Sequence, residues 1–139
     1  MEIVDVIEKL KGYNRLKIQI KKLSLKKEIL AEDIVELPAL ACSEKIQSSN
    51  TRKIVEENTL KLIQEKNLIE KKIHKKENEI KMIEAGLNEL PYYEKKVLEM
   101  RYIYKTNWKE IEEELGYTER HLQNIKNKAL NDLKVFFEL

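Results

Sequence analysis

Apolar positions in the first ninety residues recur in alternating steps of four and three. Leu16, Ile20, Leu23, Lys27, Leu30, Ile34 and Leu37 trace one stripe. Val55, Thr59, Leu62, Lys66, Ile69, Ile73, Lys76, Ile80, Ile83, Leu87 and Leu90 trace a second. This spacing keeps one face of a helix against a partner helix. Eight of the eleven positions in the second stripe are apolar, which points to a coiled-coil seam rather than an ordinary surface helix. Helices over residues 3–36 and 52–87 would each extend about 50 Å at ~1.5 Å per residue. Matched lengths predict a long antiparallel coiled-coil helical hairpin, although two helices that each pair with another chain satisfy the same pattern. Leu37-Pro38 disfavours helix, and Ser48-Ser49-Asn50-Thr51 favours turns and caps, so the loop is placed at about residues 38–50.

Three seam positions carry lysine: Lys27, Lys66 and Lys76. A buried ammonium must reach solvent or meet a carboxylate, so these layers either select register and partner number or simply extend their charged ends into water. Lys71, Lys72, Lys75 and Lys76 form a basic cluster. Glu70, Glu77 and Glu79 are interleaved with it, which favours a solvated coiled-coil face over a phosphate site.

The stripe fades after Gly86, and shorter helices follow from a boundary near Asn88. Pro91 suits a first helical turn because its missing N–H would be unpaired there. One helix is expected over residues 92–104, broken by Lys105-Thr106. The next runs over 108–115, with Asn107 as N-cap and Glu110 reaching back in a capping box. Gly116 supplies a sharp turn, and Thr118 caps a last helix over about 119–136. Helix, three-residue turn and helix make a helix-turn-helix. Ile111 and Leu115 are expected to face Leu122, Ile125, Ala129, Leu130 and Leu133. Glu119, Arg120, His121, Gln123, Asn124 and Lys126 then point outward. In this motif the first turns of the second helix enter the major groove, where Arg suits guanine and Gln or Asn suits adenine.

Composition agrees with an all-α chain: 139 residues contain 37% charged side chains but only three Gly and two Pro. Net charge is +2, and the segment from Pro91 onward is balanced at nine basic against nine acidic groups. Its signs nevertheless separate. Residues 109–114 hold one lysine against four glutamates, whereas Arg120, Lys126, Lys128 and Lys134 dominate the last helix. A neutral domain releases few counterions, so dimerisation or a polymerase partner would have to help it hold DNA. Cys42 is the only cysteine, which excludes an internal disulfide and suits a reducing cytoplasm. No run approaches the ~20 apolar residues of a membrane span, and the expectation is a soluble cytoplasmic protein without a membrane partner.

The residues also carry a resemblance. Val97-Leu98-Glu99-Met100-Arg101-Tyr102-Ile103, Trp108-Lys109-Glu110-Ile111, Leu115-Gly116-Tyr117-Thr118 and Lys128-Ala129-Leu130 resemble the promoter-reading fourth region of bacterial sigma factors. With the hairpin and the Ile46-Gln47-Ser48-Ser49 loop, the chain resembles the ArpU and RinA-like family of Gram-positive phage and prophage transcriptional regulators. That resemblance implies a hairpin over residues 1–88 for assembly or interaction and a DNA-binding domain over residues 89–139. It places base reading on Glu119, Arg120, Gln123 and Asn124, and phosphate contact on Thr118 and Lys128. Relatives usually have alanine where this chain has Glu112, which must swing outward or pair with Lys109 or a nearby basic residue. The implied partners are double-stranded DNA, RNA polymerase and a second copy through the coiled coil.

A complete sigma factor needs a promoter-opening domain, and the first ninety residues have no aromatic-rich basic helix for that task. The resulting expectation is an activator or accessory factor for late genes. A DNA-packaging adaptor of the terminase small-subunit kind usually carries its DNA-binding part first. A module that binds polymerase without DNA would leave no footprint at a promoter. Catalysis finds little support: His74 lies among lysines, His121 stands alone, and no metal-ligand spacing is present. Neither a cofactor nor a metal is expected.

Overall fold

The computed structural model describes residues 1–43 and 49–139, and every regular element among them is helical. In order these are α1 (Ile3–Lys11), α2 (Tyr13–Ser43), α3 (Ser49–Asn88), α4 (Tyr92–Leu98), a π-helical turn (Glu99–Ile103), α5 (Trp108–Leu115) and α6 (Glu119–Glu138). The single first helix expected from the pattern is two helices that meet at Gly12. Helix α2 also continues past Leu37-Pro38, where the sequence predicts a loop. Proline removes one amide donor but retains a helical φ, so the helix passes through at the cost of one hydrogen bond. Residues 44–48 of the expected loop lie outside the described residues. Among the described residues no helix is long and apolar enough to cross a membrane.

The chain forms two compact units, Met1–Lys17 with Asn78–Leu139, and Ile18–Glu77. This partition differs from the expected division after residue 88, and the reason is the core of the first unit. Val6, Leu10 and Tyr13 from α1 and the start of α2 are buried together with Ile83 and Leu87 of α3 and Leu98, Ala129, Leu130 and Leu133. Helix α1 repeats apolar residues at 3, 6, 7 and 10, a stripe that leaves Val4 exposed and turns Val6 and Leu10 inward onto α6. A second cluster joins Val97, Met100, Ile111 and Leu122, with Trp108, Leu115, Tyr117 and Ile125 at its edge. Ile111 and Leu115 therefore meet Leu122 and Ile125 as expected. Ala129, Leu130 and Leu133 serve instead the core shared with the N-terminal helix.

In the second unit the seam positions Ile20, Leu23, Lys27, Leu30 and Ile34 of α2, and Val55, Thr59, Leu62, Lys66, Ile69, Ile73 and Lys76 of α3, are all half-buried. Two seam lysines find polar partners across the helices. Lys27 Nζ lies 3.4 Å from Glu70 Oε1, and Lys76 Nζ donates to Gln19 Oε1 at 3.0 Å.

Candidate nucleic-acid interface

Helix α5 starts where Asn107 accepts a hydrogen bond from the Glu110 amide at 2.9 Å. The reverse bond expected of a capping box is not formed among the described residues. The helix stops at Gly116, whose φ of 78° is left-handed and whose N–H donates to Glu112 O at 2.8 Å. Glycine holds that conformation without the Cβ strain of other residues. Thr118 then caps α6, its Oγ1 accepting from the His121 amide at 3.4 Å. Both caps fix where α6 begins, and so which side chains occupy its first two turns.

Glu119, Arg120, His121, Gln123 and Asn124 are all exposed on those turns, as is Thr118. Gln123 Nε2 donates to Glu119 Oε1 at 3.2 Å, so these two positions are already coupled. Burial of Leu122 among Val97, Met100 and Ile111 leaves the opposite face of α6 clear. Five hydrogen-bonding side chains thus share one exposed helix surface, the arrangement a major-groove reader requires.

The cations of α6 are less free than the sequence suggests. Lys126 is half-buried, with Nζ 5.7 Å from the Trp108 ring centroid. Arg101 lies 4.9 Å from the same centroid and donates to Thr106 O at 3.2 Å. Trp108 therefore anchors the second cluster and gathers two cations on its rings. The Lys128 ammonium, 74% exposed, sits 3.6 Å from Glu94 Oε1. It faces a carboxylate of its own chain and is not an uncompensated charge. Glu112 is half-buried and forms no ion pair with Lys109 among the described residues.

Three features had little sequence signal. Glu94 is only 6% exposed, its Oε2 buried without a hydrogen-bond partner among the described residues. Burial raises its pKa, and the nearby Asp132 carboxyl raises it further against the opposing effect of Lys128. A lone glutamate after two tyrosines gives no hint of this. Tyr92, Tyr93, Tyr117 and His121 form a run of edge-to-face contacts with centroids 4.8–5.3 Å apart, linking the start of α4 to the first turn of α6. The π-helical turn after α4 carries Tyr104 N–H to Glu99 O at 2.9 Å, and Lys105 then takes a left-handed φ of 54°.

Comparison with known proteins assigns this region. Residues 86–135 match the family model of sigma-70 region 4. The match spans the end of α3 through most of α6, so the helix-turn-helix is similar to sigma-70 region 4. No curated protein and no solved structure matches the chain.

Proposed function

We propose that the chain is a sequence-specific transcription regulator that reads promoter DNA with the first two turns of α6 and acts as a late-gene activator or sigma-like accessory factor of a phage or prophage. The observation that carries the reading is the exposure of Arg120, Gln123 and Asn124 directly after a glycine turn, within the segment that matches sigma-70 region 4. Region 4 domains work on DNA and with RNA polymerase, and both are the partners proposed for this chain, in the cytoplasm. The N-terminal helices are read as an antiparallel coiled-coil hairpin for assembly. The contacts of Lys27 with Glu70 and of Lys76 with Gln19 support this, because residues later in α3 meet residues earlier in α2.

Genomic binding-site mapping in the native host identifies the operator, and binding of variants then tests the mechanism. Alanine at Arg120, Gln123 or Asn124 is expected to cost about 1–3 kcal/mol on the operator and much less on random DNA. Equal losses on both DNAs for all three would withdraw base reading from α6.

A further inference from the structure

Helix α2 carries a second stripe. Ile18, Lys22, Leu25, Ile29 and Glu32 step by four and three, as the seam residues do, but are offset from Leu16, Ile20, Leu23, Lys27 and Leu30 by two residues. At 3.6 residues per turn that offset is about 200° around the helix, so the stripe lies opposite the seam. All five residues are exposed. The three apolar ones are strongly so: Ile18 68%, Leu25 53% and Ile29 58%. Large aliphatic side chains spaced like a seam and left in water mark a face that meets a partner.

The charges beside this stripe identify the partner. Between residues 18 and 27 the ionisable groups are Lys21, Lys22, Lys26 and Lys27; immediately afterwards come Glu28, Glu32 and Asp33. Over residues 21–33 the pattern is its own complement when reversed about Lys27. Lys22 and Glu32 are equidistant from that residue, as are Lys21 and Asp33, Lys26 and Glu28, and Leu25 and Ile29. An isologous two-fold contact requires this property, since residue i must suit residue j while j suits i.

We infer that α2 pairs with α2 of a second copy of this chain, antiparallel, about a two-fold axis level with Lys27. Leu25 and Ile29 form two central apolar layers, and Lys22 meets Glu32 of the second copy on either side of them. Lys21 with Asp33 and Lys26 with Glu28 fix the register from the flanks. A parallel pairing would set Lys22 against Lys22 and Glu32 against Glu32, so the charge pattern rejects it. This inference rests on the reading of the N-terminal helices as an assembly region, and it names the surface.

The test is sedimentation of the full chain without DNA at tens of micromolar, across a salt series, so that failure of the DNA reading does not affect it. Wild type is expected to dimerise, more weakly as salt rises. Lys22→Glu places two like-charge contacts in each dimer and should raise the dissociation constant by about tenfold or more. Glu32→Lys should do the same, and the double variant should restore association. The substituted sides are exposed, so helical content by circular dichroism should be unchanged in all three. A wild-type monomer overturns the inference. A dimer indifferent to the single changes also overturns it while leaving assembly through another surface intact. Single variants that the double variant fails to rescue overturn the antiparallel register. If Lys22→Glu spares the dimer and, in a separate binding assay on random DNA, weakens DNA binding, the face belongs to nucleic acid and the pairing is overturned.

Discussion

Leu10→Ala tests whether the first helix belongs to the DNA-binding unit. Leu10 is fully buried in the core that holds Leu98, Leu130 and Leu133. The substitution removes three carbon groups, worth about 0.8 kcal/mol each in transfer from water. The cavity left behind adds to this, so about 3 kcal/mol is expected, within the ~2–5 kcal/mol range of buried leucine truncations. Trp108 is the only tryptophan and lies at the edge of the second cluster, far from Leu10 in sequence, so its fluorescence during urea unfolding reports on the C-terminal helices. The midpoint should fall sharply for Leu10→Ala. It should barely move for Val4→Ala, whose side chain on the same helix is 59% exposed; such surface changes stay within about 0.5 kcal/mol. An unchanged Trp108 transition for Leu10→Ala would show that α1 does not support the helix-turn-helix, and the shared core would be wrong.

The same core predicts that a fragment of residues 89–139, lacking Val6, Leu10, Ile83 and Leu87, shows no cooperative thermal unfolding by circular dichroism. Gly86→Ala should destabilise despite better helix propensity: the added Cβ would lie 2.6 Å from Leu133 Cδ1 in a fully buried site, and overpacking of about 1–3 kcal/mol exceeds the ~1 kcal/mol propensity gain. Denaturant midpoints check the sign. Glu94 holds its proton more tightly in the folded state than in the unfolded chain, so it favours folding as pH falls from neutral towards the ordinary value of 4.5. Glu94→Gln should therefore raise stability at neutral pH by about 1 kcal/mol, since its amide can donate to Asp132, and should flatten that pH dependence in melts at a series of pH values.

The helix-turn-helix was legible because its signals are local. Asn107, Gly116 and Thr118 act on amides within three or four residues, so caps and turn follow from neighbours in the chain. The seam was legible because period alone selects the buried face of α2 and α3. Period does not say what covers that face, and for this reason the pattern alone places α1 and the end of α3 in the hairpin, although they close the core beneath α6. Pro38 misled for a related reason: a local propensity against helix yields when the surrounding helix continues. The roles of Lys126 and Lys128 depend on Trp108 and Glu94, partners distant in sequence, so their spacing on α6 suggested freer charges than the fold leaves.

Val6 and Leu10 share their core with Leu130 and Leu133, which lie far along the chain on the last helix, α6. Closing so long a loop is entropically slow, and the apolar stripe of α1 stays uncovered until α6 docks on it. Every residue assigned to base reading precedes Leu130. A chain clipped after residue 128 would thus possess the whole reading surface without the core that holds it in place. Under the proposed function, docking of the end of α6 on α1 becomes a precondition for engaging a promoter, and clipped copies are excluded from competing for the operator.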